Sequence, residues 1–283
     1  MKKVTLILIA TVSLSMSACR INKSLLSSSA ENNNFLKQQS LLVKSKIDKE
    51  FDQGNIEPII ANAFKTSYEA IETKSKERDE IIANTLPKMG AKKAKSLLDS
   101  LNAAIDKDKT SLEILLKSIS IDTYYEFPSN AFFGPGKYEI TFEKEPELKS
   151  IFSPALDSIA KFANQYPNNK LQLMLVTYGY ADGQGFREGS PLHEFLTKQV
   201  GKDSASREEL NLKLSELRAI EVANFIDVFA NTQKSKFENF SNLEKIKNGI
   251  GKGEEFPKKN IDYSEDDERR RIVKFFWKIL PKN

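Results

Sequence analysis

The pattern of apolar residues changes character once along the chain, near Ile121, and this change limits the available folds more than any other feature. Between Phe35 and Ile121 the sequence is rich in Lys, Glu, Ala, Leu and Ile. Its apolar residues recur every three to four positions, with Ile60, Phe64, Tyr68 and Ile71 in one stretch and Leu97, Leu98, Leu101, Ala104, Ile105, Leu112, Leu115 and Leu116 in another. That period puts them on one side of a helix. Breaks at Gln53-Gly54-Asn55 and from Pro87 to Gly90 divide the region into three helices, and their stripes are expected to form the inside of a small antiparallel bundle.

Beyond Ile121 the chain alternates. Tyr124-Tyr125-Glu126-Phe127-Pro128 and Phe132-Phe133-Gly134-Pro135-Gly136 combine aromatic and turn-forming residues and read as a linker. A strand is then expected at Tyr138–Phe142, a helix at about 148–164, a strand at Leu171–Val176, a helix at about 208–229 and a last strand at Ile272–Leu280. Val273, Phe275, Trp277 and Ile279 share one face of that last strand, so Trp277 is expected in a core rather than on a ligand platform. The predicted class is α+β, a helical region at 35–121 followed by a sandwich of helices on a mixed sheet at 122–283.

The amino terminus carries an address. Lys2 and Lys3 precede the apolar run Val4 to Val12, and Leu14-Ser15-Met16-Ser17-Ala18 leads to Cys19, the only cysteine of 283 residues. This arrangement is similar to bacterial lipoprotein signals: residues 1–18 would be removed and Cys19 acylated. The run is too short to span a bilayer, which takes about 20 apolar residues. Residues 19–34, with Ser27-Ser28-Ser29 and Asn32-Asn33-Asn34, have the composition of a flexible tether. A single cysteine allows no internal disulfide, so stability must come from packing. Two of the four net positive charges belong to Lys2 and Lys3, leaving a nearly balanced body without a basic, aromatic-interleaved stripe. Nucleic acid is not an expected partner. Arg20 stands where enterobacterial sorting would read an aspartate for inner-membrane retention, which implies the outer membrane, facing the periplasm.

Three segments carry a more specific signal. Tyr178-Gly179-Tyr180-Ala181-Asp182 follows the second expected strand, Asn211-Leu212-Lys213-Leu214-Ser215-Glu216-Leu217-Arg218-Ala219 lies in the next helix, and Arg270-Arg271-Ile272 opens the last strand. In order and context the run from Ile140 to Leu280 resembles the OmpA-like, peptidoglycan-binding domain family. The resemblance implies a ligand site made by Asp182 and Arg218 with Asn211 beside them, taking the free end of diaminopimelate in a peptidoglycan stem peptide. That end carries an ammonium and a carboxylate on one carbon, which suits an acid past a strand end and a base reaching from a helix. Helix amino-terminal amides are expected to favour the negative end.

Two departures from the family pattern matter. Ala181 replaces a threonine, and Gly183–Arg207 forms an insertion beside the proposed pocket, able to complete it as a lid or to fill it with Phe186 or Leu192. His193, the only histidine, lies in this insertion without an identifiable nucleophile or orienting acid, so no catalytic residue, metal site or cofactor is expected. Gly249-Ile250-Gly251-Lys252-Gly253 lacks the phosphate-loop spacing and reads as a turn before the last strand. The expected protein is a lipid-anchored outer-membrane tether that grips peptidoglycan, with residues 35–121 as a spacer or a surface for an envelope protein. The alternative is an envelope-complex interaction module that keeps the fold and has lost the pocket.

Overall fold

A computed structural model describes residues 23–121, 123–133, 137–202, 204–258 and 260–282. The signal, Cys19 and the first residues of the expected tether lie outside the described residues. The chain divides into two compact units, one ending at Ser120 and the other spanning Ile121–Lys282.

The first unit contains α1 (Lys23–Asp52), α2 (Pro58–Glu80) and α3 (Ala91–Ser120). Gly54, at φ 72°, closes the turn after α1, and Pro58 starts α2 where its missing N–H costs nothing. Pro87 cannot continue a helix, and the chain leaves α2 through a π turn at Ile81–Thr85 and a 3-10 turn at Leu86–Lys88. Ile60, Phe64, Tyr68 and Ile71 of α2 are buried as their spacing predicts, as are Leu98, Leu101, Ile105, Leu112 and Leu115 of α3.

Residues 23–34 depart from the expected tether, because they are the first three turns of α1. Their polar side chains are used inside the bundle. Ser29 Oγ donates to Asn102 Oδ1 at 2.7 Å, and Asn33, fully buried, donates to Ser75 O at 2.8 Å and Asp79 Oδ1 at 2.6 Å. Arg78 Nε donates to Asn33 Oδ1 at 3.1 Å and Nη2 lies 2.7 Å from Asp108 Oδ2, so a buried ion pair joins α2 to α3. Composition registers such residues as solvent-loving, whereas hydrogen bonding lets them pack.

The second unit runs β1 (Tyr124–Pro128), α4 (Glu145–Ala163), β2 (Leu171–Gly179), α5 (Pro191–Val200), α6 (Arg207–Thr232), β3 (Leu243–Gly251) and β4 (Ile272–Pro281). The strands form one mixed sheet in the order β1-β4-β2-β3, with β2 parallel to β3 and β4 antiparallel to both β1 and β2. The class is α+β, with helices packed on a mixed sheet. Phe152 of α4 meets Phe275 of β4 edge-on at 5.6 Å, and Trp277 is buried in the same core.

Three expectations about strands are corrected. Tyr138–Phe142 is not a strand: Tyr138 stacks on Phe195 at 5.0 Å, and Phe142, 81% exposed, begins a 3-10 turn. The first strand is instead the supposed linker Tyr124–Pro128, whose proline is tolerated because it ends an edge strand. Leu243–Gly251 is a strand as well, and the glycines read as a turn are its last residues.

Those glycines explain how α6 lies on the sheet. A Cβ on Gly179 would sit 2.1 Å from Ser215 O, one on Gly249 would sit 2.5 Å from Ile220 N, and one on Gly251 would sit 2.5 Å from Leu212 O. Thr177 Oγ1, on the same face, donates to Ala219 O at 2.7 Å. The sheet is bare where the helix crosses it, so the two backbones touch.

Candidate functional site

After β2 the chain stays pinned between β4 and the loop following β3. Tyr180 N donates to Ile272 O at 2.9 Å, Ala181 N to Gly253 O at 2.7 Å and Gly183 N to Glu265 O at 2.6 Å. This holds Asp182 at the sheet rim. Close packing of α6 brings Asn211, Leu214 and Arg218, one face of the helix, to the same place. The three residues expected at the site, Asp182, Asn211 and Arg218, all line one cavity of about 370 Å³.

Arg218 is 7% exposed. Its Nε donates to Lys137 O at 3.0 Å and its guanidinium lies 5.4 Å from the Phe133 ring. Among the described residues Nη1 and Nη2 have no hydrogen-bond partner. Burial, and then the charge of Arg271, push this guanidinium down to about 10, with Asp182 acting the other way. A buried cation with donors to spare asks for an anion.

Asp182, 6% exposed, is held by Arg271, a residue the motif reading did not put at the site. Arg271 Nε and Nη2 reach Asp182 Oδ2 at 2.8 and 2.6 Å, and these bonds raise the Arg271 guanidinium above its ordinary value. Oδ1 accepts no hydrogen bond among the described residues. The motif Arg270-Arg271 splits where the 3-10 turn Glu268–Arg270 gives way to β4. Arg270 turns the other way, is 3% exposed, donates to Glu265 O at 2.6 Å and stacks over Phe256, fastening the loop that precedes β4. No periodic signal marks this division of labour, because neither arginine lies in the strand.

Asn211 braces the wall. Its Nδ2 donates to Gln184 O at 3.1 Å and Glu254 Oε1 at 2.8 Å, so both amide hydrogens are spent on the protein. The insertion forms the opposite wall. Ser190 caps α5, Gly201 ends it at φ 74°, and Phe186, Leu192 and Phe195 pack with Leu196, Leu210 and Leu214. Phe186 and Leu192 line the cavity without filling it. His193 is half-buried on α5 and its backbone N donates to Ser190 Oγ.

The helix amino terminus does not serve the site. Ser206 and Glu209 close a capping box there, and Arg218 lies about three turns further on, roughly 16 Å at 1.5 Å per residue. The dipole effect fades within the first turn. Among the described residues no cluster of three His, Cys, Asp or Glu could hold a metal, and no helix is long and apolar enough to cross a membrane.

Fold and cavity together define an α+β domain with a polar pocket lined by three guanidinium groups, those of Arg187, Arg218 and Arg271, and one carboxylate, that of Asp182. No family model matches the chain, and no curated protein sequence does. Among solved structures it is similar to a MotB-like protein from Desulfovibrio vulgaris at 16% identity and TM-score 0.28, covering 55% of this chain and 72% of the other. It is also similar to the periplasmic domain of Helicobacter pylori MotB (residues 78-256), at 18% identity and TM-score 0.29, covering 56% and 78%.

Proposed function

We propose that this chain is an outer-membrane lipoprotein, anchored through Cys19 and facing the periplasm, that holds peptidoglycan without covalent linkage. The ligand is the diaminopimelate end of a stem peptide, seated in the cavity of Asp182, Arg218 and Asn211. The observation that carries this reading is the buried Arg218 guanidinium, with two nitrogens unpartnered among the described residues, opening on the cavity that holds Asp182. Its ligand brings a carboxylate to Arg218 and an ammonium to Asp182 Oδ1. No chemistry is performed on it and no cofactor is needed. The helical unit spaces the domain from its anchor or meets an envelope protein.

Each charged hydrogen bond contributes about 1.5–3 kcal/mol net, so a single stem binds in the micromolar to millimolar range. Confinement beside a repeating polymer raises the effective ligand concentration and makes weak sites sufficient. The alternative, an interaction module with a filled pocket, is less well supported, because the insertion leaves about 370 Å³ open.

Two experiments test the reading. Residues 20–283 are pelleted with purified sacculi, beside Asp182→Ala and Arg218→Ala. Wild type should co-sediment and both variants should stay in the supernatant while still melting cooperatively above the assay temperature. Equal pelleting of all three would refute the site. For the anchor, mass spectrometry of the full chain expressed in a diderm host should find acyl chains on an amino-terminal Cys19, and Cys19→Ala should leave the membrane fraction.

A further inference from the structure

The charged side chains of the cavity wall are three arginines, Arg187, Arg218 and Arg271, and one carboxylate, Asp182. Ser129, which follows β1 directly, lines the cavity and is 3% exposed, yet its Oγ has no hydrogen-bond partner. Its backbone is fixed, since Ser129 N donates to Arg271 O at 2.7 Å. Arg218 adds the Nη1 and Nη2 donors described above. On the other side of the balance stands Asp182, whose Oδ2 already accepts two bonds from Arg271. A buried hydroxyl without a partner costs free energy unless a ligand satisfies it.

We infer that Ser129 is a further ligand-binding residue, donating with Arg218 to a carboxylate, and that Arg271 is a positioning residue whose hold on Asp182 makes the ligand's carboxylate, not its ammonium, the dominant anchor. This rests on the peptidoglycan reading for the identity of the natural ligand and on the cavity alone for its chemistry. Three guanidinium groups, those of Arg187, Arg218 and Arg271, line the cavity with one carboxylate and leave the empty site with surplus positive charge. A carboxylate offsets that charge. An ammonium adds to it and must share Asp182 with Arg271.

The test uses meso-diaminopimelate, which carries both groups, and its two halves: heptanedioate, which keeps the carboxylates alone, and 1,5-diaminopentane, which keeps the ammonium groups alone at the same spacing. Binding to the full chain is measured by calorimetry at neutral pH. Wild type should bind heptanedioate at least about tenfold more tightly than the diamine. Ser129→Ala should weaken heptanedioate and diaminopimelate roughly tenfold and leave the diamine unchanged. Because Ser129 Oγ makes no internal bond, that variant keeps its stability. Arg271→Gln should narrow the gap between the two simple probes by releasing Asp182, and Arg271→Lys, which keeps the charge, should narrow it less.

A diamine that binds wild type as tightly as heptanedioate would overturn the inference, as would an equal effect of Ser129→Ala on all three probes. Failure of the peptidoglycan reading looks different: heptanedioate would still bind, with the same response to Ser129→Ala, while sacculi would not pellet the protein.

Discussion

At Arg218 burial and charge oppose each other. Its guanidinium titrates at about 10, below the ordinary arginine range, so the folded state carries a cost while the group is charged. That cost is fully present below pH 10 and fades as pH rises through about 10 towards the ordinary value. Binding of a carboxylate runs the opposite way, since it needs the charged form. Heptanedioate affinity, measured by calorimetry, is therefore expected to stay level between pH 7 and 9 and to fall above about 10, with Arg271 and Asp182 as the charges that face the group. A companion expectation concerns stability. Arg218→Met removes the buried charge and keeps the volume, so its urea midpoint should equal or exceed that of wild type while carboxylate binding is lost. Asp182, Asn211 and Arg218 were legible in the sequence because a short motif carries residue identity. Arg271 and Ser129 were not, because their roles depend on which way a strand end and a turn face.

Among the elements, α6 is placed by absence of side chains. Three glycines on two adjacent strands, Gly179, Gly249 and Gly251, clear the path along which it crosses the sheet. Gly179→Ala would force Ser215 O away from a Cβ 2.1 Å distant, and backbone cannot rotate aside as a flexible side chain can. The expected cost is about 1–3 kcal/mol, read as a lower denaturant midpoint, and carboxylate binding should weaken as Arg218 shifts with its helix. Periodicity found α4, α6, β2 and β4 to within a few residues, because each buries a continuous stripe. It missed β3, where Lys245 and Lys247 pair with Asp227 at 2.9 and 3.0 Å on an edge strand and its end is glycine. It misplaced the first strand because Pro128 ends β1, while Tyr138–Phe142 alternates without a sheet to join.

On the scale of the whole molecule, the division at Ser120/Ile121 makes the site-bearing unit a candidate for independent folding. The point at which such a fragment has to start follows from three contacts inside it. Lys278, 4% exposed in the middle of β4, donates to Ile121 O at 2.7 Å and depends on a carbonyl at the very start of the unit. β1 covers the first half of β4, from Tyr124↔Phe276 to Pro128↔Ile272. Phe132 and Phe133, at 0% and 3% exposure, fill the space beneath the cavity, and Phe133 carries the Arg218 guanidinium. A fragment of residues 121–283 should therefore unfold cooperatively and bind heptanedioate like the full chain. One of residues 138–283, which begins where the sequence pattern alone sets the first strand, loses two buried phenylalanines at about 1.5–3 kcal/mol each, together with one of the two strands paired to β4 and one hydrogen bond of Lys278. Against a total stability of about 5–15 kcal/mol that loss is large enough to leave it unfolded or molten, with a flat near-ultraviolet dichroism spectrum and no ligand heat. If the shorter fragment melted cooperatively and bound, β1 and Ser129 would be dispensable, and the account of how this pocket is held together would have to be abandoned along with the hydroxyl assigned to it.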